Sequence, residues 1–543
     1  MNKSKKSILY LSTLFSSMLL ASVGNCTTTV TFSATQSNPT TFTGFGAMVW
    51  DGPTGTKQTL LQQLYQLPGF RVARINHDIR NVTVPNNLTS TAAYLALWNS
   101  NGDPATDLQL PVGQGGTYQP IQFLWLADVP CTFIQSNGYG NVCPANCGNG
   151  GCTLISGVNL QSLAYYLAAG VQHFNQVYGA LNSCANGATG CYSANYVELS
   201  NEPDGNWDVQ FTAAQYNTLI QDVYAALKTI SPNTLITGPG VSKMDWSSTG
   251  TDTFVTGLST AGLADLGAWS VHNYIDTLVS GTPEENLDPT STTINGYGDT
   301  ADRYWFSKWY AKPKSLGATK PVIVSEMSTK ATGFHKIKYS APTVNDACAS
   351  PQTSSNCSII DTTSYGVRMY TYAISLLAGG ANSILSWEAY DQSWEAPGGG
   401  FGIYNLNNQP RPFYYAMLPL WQNLQPGSKV LVSPTTQNAN DIYSVAFLSP
   451  NNANGTVNCV TLALANGGTT SGVARTTTVT GLPTTAIGYT ATTQLFSQLG
   501  TTVYQGQLTT DPNASFTLSK GTLTYTTKLS EDQAVTAQVC LTY

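Results

Sequence analysis

Charge is what this chain of 543 residues has least of. Asp, Glu, Lys and Arg together make up 10% of it, against roughly 25% in an average soluble protein. Only 23 residues are Lys or Arg, the net charge is −6, and no basic run follows the first few residues. That argues against a surface for nucleic acid or another polyanion. No long-period repeat or low-complexity linker interrupts residues 40–425. What remains is a 42% hydrophobic composition, ample for a core, and a polar surface that Thr, Ser, Asn, Gln and Gly must supply. A neutral, hydroxyl-rich partner suits such a surface. The length points to one large domain and a smaller one.

The first residues read as a secretory leader. Lys3, Lys5 and Lys6 precede an apolar stretch from Ile8 to Val23, and Ser22 and Gly24 sit at the −3 and −1 positions for cleavage. The stretch is short for a membrane anchor and no stop-transfer segment follows. Asn25 before Cys26 is bulkier than a bacterial lipoprotein signal expects. Of the 11 cysteines, ten remain for pairing after Cys26. Cys184 and Cys191 bracket a short loop, Cys348 and Cys357 another, and Cys459 with Cys540 could staple the last hundred residues. Cys131, Cys143, Cys147 and Cys152 share a Gly/Asn-rich loop; their spacing matches no standard zinc finger, and export favours disulfides. The expected location is extracellular. Sequons at Asn81, Asn87, Asn356, Asn454 and Asn513 matter only in a eukaryotic host.

Short β-branched runs alternate with segments of helical period. The runs are Thr43–Val49, Arg71–Ile75, Ile121–Leu126, Tyr196–Leu199, Leu235–Thr237, Ala268–Val271, Val322–Val324 and Ser383–Trp387. Helical segments include Lys57–Leu67, Leu160–Val177, Ala213–Thr229, Arg303–Tyr310 and Tyr365–Leu377. Eight such units predict an α/β fold, a closed (β/α)8 (TIM) barrel. The rival doubly wound sheet usually carries a Gly-rich phosphate turn, and Gly44-Phe45-Gly46 does not continue into one. From about Lys429 short strands separated by Gly, Asn, Pro and Ser turns predict a C-terminal antiparallel β-sandwich. The expected division is a signal peptide at 1–26, an N-terminal strand joining the sandwich at 27–40, the barrel at 41–428 and the sandwich at 429–543.

Barrel enzymes gather reactive groups at strand C-termini. Those ends offer Trp50, Asp51, residues Arg74 to Asp78, Asp128, Asn201, Glu202, Lys243, His272, Asn273, Tyr274, Glu326, Trp387 and Glu388. Carboxylates and amides bind hydroxyls and aromatic rings stack on sugars, so the inventory suits a carbohydrate. Val-Glu-Leu-Ser-Asn201-Glu202-Pro203 ends the fourth strand and Val-Ile-Val-Ser-Glu326 the seventh, with His272-Asn-Tyr274 on the sixth, Trp387 on the eighth and Arg74 on the second. In these landmarks the chain resembles the clan A glycoside hydrolases over residues 40–425. The barrel-plus-sandwich layout looks closest to the glucosylceramidase/xylanase, β-xylosidase/iduronidase and heparanase/β-glucuronidase families, without choosing among them.

That resemblance implies a retaining O-glycosyl hydrolase of β-linked glycans with Glu202 as acid/base and Glu326 as nucleophile. Asn201 would hold the sugar 2-hydroxyl, Arg74 and Tyr274 would keep Glu326 ionised, and burial would favour the protonated form of Glu202. His272 is a candidate substrate or nucleophile contact and Trp387 a sugar platform. No metal or organic cofactor is required. The expected partner is an oligosaccharide, polysaccharide or glycoconjugate, with no nucleic acid and no membrane span in the mature chain. The long loop 127–157 is expected to wall the cleft. Alternatives are a non-catalytic carbohydrate-binding or adhesive surface protein on a hydrolase scaffold, and a transglycosidase.

Overall fold

The computed structural model describes residues 28–49, 55–77, 84–100, 122–136, 152–181, 194–205, 209–241, 253–274, 320–328, 361–391, 401–433, 442–451, 457–466, 472–499 and 502–543. Eight parallel strands close into a barrel: Gly44–Val49 (β1), Phe70–His77 (β2), Gln122–Ala127 (β3), Ala194–Leu199 (β4), Leu235–Val241 (β5), Leu266–Tyr274 (β6), Val322–Ser328 (β7) and Ser383–Ser386 (β8). All eight runs read from the sequence are barrel strands, each within a few residues of its expected bounds. The helices Gly55–Tyr65, Leu160–Leu181, Ala213–Ile230 and Thr363–Gly379 also fall on expected segments. The segment Arg303–Tyr310 lies outside the described residues. Among the described residues the short helices Thr253–Thr256 and Thr260–Asp265 were not anticipated, nor were two longer ones, Thr91–Ser100 and Pro412–Asn423. The last of these contains Pro419 and opens on Pro412, which punctuate a sequence like a loop although proline is tolerated in a first helical turn.

Strand alternation sorts the barrel side chains into two environments. Outward residues such as Ala73, Ile75, Trp125, Val197, Leu199, Val271, Val324 and Ile384 join the main core under the helices. Inward, Val72, Leu124, Ala268, Ile323 and Leu385 form a small apolar plug, with Tyr196 against it. Two residues further along four of those strands stand Arg74, Glu198, Ser270 and Ser325, all buried. The barrel interior therefore changes from apolar to polar within one layer.

Helix Ala213–Ile230 shows how local sequence places an element. Thr212 and Gln215 form a reciprocal capping box, and the helix stops at Ser231, before Pro232. Tyr216, Leu219, Ile220, Val223 and Leu227 make its buried stripe. From that stripe the Tyr216 hydroxyl donates to the Leu199 carbonyl at 2.9 Å, pinning the end of β4 just before Asn201.

The antiparallel sheets sandwich a second core. One has four strands and the other seven, and Val30, Phe32, Leu431, Leu462, Leu464, Leu523, Tyr525 and Val539 pack between them. Strand Thr28–Ser33 pairs in parallel with Val473–Thr480. Cys459 and Cys540 face each other in register and form a disulfide. The second face of the larger sheet meets the barrel helices, where the Tyr370 hydroxyl reaches the Val535 carbonyl at 3.1 Å and the Thr536 hydroxyl at 2.8 Å. That explains why strand Cys459–Asn466 is buried at every position.

The outer face of the four-stranded sheet is different. Thr29, Thr476, Thr526 and Ser515 are aligned across its strands, and Thr31, Thr478, Thr524 and Thr517 form the next row. Threonine gives a β-branched side chain that packs on the pleat and a hydroxyl for water. This is how a chain poor in charge keeps a sheet face polar.

Candidate active site

Arg74 is the hub of the site. It is fully buried on β2, and its Nε donates to Glu198 Oε2 at 2.7 Å and its Nη1 to Glu326 Oε1 at 2.6 Å. Its Nη2 donates to Asn201 Oδ1 at 3.0 Å and lies 3.4 Å from His272 Nε2. Burial opposes the guanidinium charge, but Glu198 and Glu326 outweigh it and hold Arg74 above its ordinary pKa.

Glu326 reaches this cluster through an irregularity. Period-two alternation sends Ile323 and Ser325 inward, which would turn Glu326 outward to the helices. Between β6 and β7 the register slips after Val271↔Val324, so that His272 pairs with Glu326. The extra residue is Ser325, and the bulge re-aims the following carboxylate into the barrel. Ser325 also stays inside, donating from Oγ to Glu198 Oε1 at 2.7 Å.

Glu202 arrives from the turn after β4. Ser200 and Glu202 both have left-handed backbones, with φ of 63° and 45°, uncommon for residues with a side chain and a sign of a constrained turn. The turn is braced by backbone bonds from Gly205 N to Glu202 O and from Phe211 N to Pro203 O. The Cys152–Leu154 strand pairs with both Ile134–Ser136 and Val209–Gln210, so part of the 127–157 loop folds against the segment that follows Glu202. Cys131 and Cys152 in that loop each take part in a disulfide.

His272 lies between the two carboxylates. Its Nδ1 is 2.9 Å from Glu202 Oε1 and 3.3 Å from Glu326 Oε2. One oxygen of each glutamate and one ring nitrogen of His272 lie within 4.8 Å of one another. Arginine only donates, so the Arg74 contact assigns the lone pair to Nε2 and the proton to Nδ1, facing the glutamates. Burial, helped by Arg74 and opposed by Glu326, Glu198 and Asp204, keeps the imidazole pKa below its ordinary value. The ring is therefore neutral near neutral pH. The same three residues have donor atoms close enough for a cation, but Arg74 already places a fixed positive charge on Glu326 and competes with a metal there.

The structure thus brings together Arg74, Asn201, Glu202, His272 and Glu326. Trp387 follows β8 half-buried, its backbone nitrogen bonded to the Met327 carbonyl at 3.1 Å. Tyr274 ends β6, and its side chain lies outside the described residues, as do Trp50, Asp51, Asp78 and Lys243. Glu388 and Asp128 are buried.

Glu198 was missed by sequence reasoning. It is fully buried, and although burial opposes its charge, Arg74, His272 and the bond from Ser325 hold its pKa below the ordinary carboxylate range. The signal was available: a glutamate in the middle of an apolar strand, sharing parity with Tyr196, which faces the barrel axis. Gly240 on β5 makes room for it. Its φ is +54°, and a Cβ there would sit 2.7 Å from Glu198 Oε1.

No protein-family model matches the chain, and no curated protein matches it. Solved structures do. The catalytic domain of GH30 xylanase C from Talaromyces cellulolyticus is 14% identical, covering 95% of this chain and 100% of that one, with a TM-score of 0.55. A glucosidase from Croceicoccus marinus is 12% identical over 95% of this chain and 100% of its own, also at 0.55. The GH39 enzyme from Xanthomonas axonopodis pv. citri is 14% identical over 94% and 97%, at 0.51. The fold is that of the clan A glycoside hydrolases, a TIM barrel with a C-terminal β-sandwich. At such identities the likeness speaks for the fold alone.

Proposed function

We propose that this protein is a secreted retaining glycoside hydrolase acting on a neutral, β-linked glycan. The observation that carries the reading is the approach of the Glu202 and Glu326 carboxylates, within 4.8 Å at their closest donor atoms. A retaining site sets its carboxyl groups about 5–5.5 Å apart, whereas an inverting site needs about 6.5–9.5 Å to admit a water. The named neighbours, a xylanase and a glucosidase, favour the same chemistry, and the low charge of the chain favours a neutral substrate.

In this reading a Glu326 oxygen bonds to the anomeric carbon as the bond to the leaving oxygen breaks. Glu202 gives its proton to that oxygen. In the second half Glu202 takes a proton from water, whose oxygen replaces Glu326 on the sugar. Arg74 holds Glu326 as the anion, because a hydrogen bond to the charged form favours it. His272, neutral, orients both carboxylates from Nδ1. Asn201, fixed through its Oδ1 by Arg74, presents the rest of its amide to the sugar, Tyr274 supports Glu326, and Trp387 is the sugar platform. No step calls for a metal or an organic cofactor. The Lys-rich, apolar N-terminus and the disulfides support export.

The test is a panel of aryl β-glycosides and β-glycan polymers run with Glu202→Gln and Glu326→Gln. Glu326→Gln is expected to abolish turnover of every substrate. Glu202→Gln is expected to cost about 10²–10⁴-fold on natural glycans while sparing aryl glycosides whose leaving groups need no proton. Turnover surviving both substitutions overturns the reading, and sugar binding without turnover by the unsubstituted protein leaves a binding protein in its place.

A further inference from the structure

Glu198 takes no part in the two displacements above, yet its carboxylate is fully buried inside the barrel. It stands on β4, and four other strands contribute to its surroundings. Arg74 from β2 donates at 2.7 Å, Ser325 from β7 donates at 2.7 Å, Ser270 from β6 stands beside it, and Gly240 from β5 leaves it space. The same guanidinium that holds Glu198 through Nε holds Glu326 through Nη1 at 2.6 Å. One cation is thus shared by two buried anions, only one of which faces the reacting carbon.

We propose that Glu198 is a positioning residue that tunes the nucleophile through Arg74, drawing the guanidinium charge away from Glu326 and keeping that carboxylate basic enough to attack. The proposal rests on the reading of Glu326 as nucleophile and deepens it. An unshared guanidinium would stabilise the Glu326 anion too strongly: the anion would be a poorer nucleophile and, once bonded to sugar, a better leaving group. With Glu198 present, the Arg74–Glu198 pair is close to neutral overall and still supplies the hydrogen bond that aims Glu326. Ser325 helps to keep Glu198 ionised without adding charge. The other charged or titratable groups around the pair are His272 and Glu202 above Glu326, Asp204 acting on His272, and the Tyr216 hydroxyl near Glu198.

The experiment compares pH profiles of kcat/KM for Glu198→Gln and the unsubstituted protein on one aryl β-glycoside, with pre-steady-state bursts on an activated substrate. Glutamine keeps the shape and can still accept from Arg74 but carries no charge. The acid limb, which reports the essential base of the free enzyme, is expected to move down by about half a pH unit or more. Glycosylation is expected to slow by about tenfold while release of the sugar is not slowed, so any burst shrinks. An unmoved or raised acid limb, or equal slowing of both half-reactions, overturns the proposal and leaves Glu198 a structural residue. Should Glu198→Gln fail to fold, Ser325→Ala is read instead. It removes a donor from Glu198, strengthens that carboxylate's pull on Arg74, and must raise the acid limb; a fall or no change overturns the proposal. Glu326→Gln, run alongside, separates the two readings, since activity in that variant sinks the nucleophile assignment itself.

Discussion

Replacing Arg74 by Met tests the electrostatics of the barrel interior directly. The side chain is fully buried between Glu198 and Glu326, with contacts of 2.7 and 2.6 Å. Methionine fills much of its volume and leaves two buried carboxylates without their cation. Breaking a buried ion pair costs about 3–5 kcal/mol. An independent estimate agrees: one carboxyl can escape the penalty by binding a proton, which at pH 7 costs about 3.7 kcal/mol for a group of ordinary pKa near 4.3. That escape becomes cheaper by about 1.4 kcal/mol for each pH unit lost. In the variant the folded carboxyl has a raised pKa, so folded protein binds a proton that unfolded protein lacks, and relative stability improves as pH falls towards 4.3. In the parent protein Glu198 has a lowered pKa, so its contribution is complete above about 4.3 and is lost only below it. The destabilisation is therefore expected to be about 3–5 kcal/mol at pH 7 and about 1–2 kcal/mol at pH 5. Urea midpoints of both proteins at the two pH values measure it. A cost equal at both, or under about 1 kcal/mol at pH 7, refutes the network as described.

Three further outcomes are expected of the same structure. Gly240→Ala forces a Cβ to within 2.7 Å of Glu198 Oε1 on a left-handed backbone; it is expected to lose about 1–3 kcal/mol in urea unfolding and to lower kcat/KM, and a neutral result would show that Glu198 can move freely. His272, held below its ordinary pKa, stays neutral while the unfolded chain takes up a proton near pH 6.5, so stability should drop by up to about 1.4 kcal/mol per unit below that pH; His272→Gln should flatten this slope, and an unchanged slope would refute the assignment. Trp387→Ala should reduce kcat/KM about tenfold if the ring is a sugar platform, and unaltered glycan kinetics would remove that role.

Much of the fold was legible because its signals are local. The eight β-branched runs and the helical segments between them depend on neighbours within a turn or two of chain. Helix Pro412–Asn423 was hidden because its buried face, including Phe413, Leu420 and Trp421, exists only against the barrel and the larger sheet. Glu202 was legible from its place after an apolar strand. Glu198 could have been found by following inward parity from Tyr196. Glu326 defied that same parity rule, and its strand-end position, not its alternation, marked it.

By itself the amino-acid order determined which segments become strands and helices, because hydrophobic period and turn chemistry act over a few residues. It also determined that carboxylates, amides and aromatic rings would crowd the strand ends. Which way Glu326 points was decided by a bulge that forms only when β6 and β7 pair. The sharing of Arg74 by Glu198 and Glu326, respectively 124 and 252 residues away, was decided by closure of the barrel, because only that brings their strands around one axis and shuts water out from between the charges.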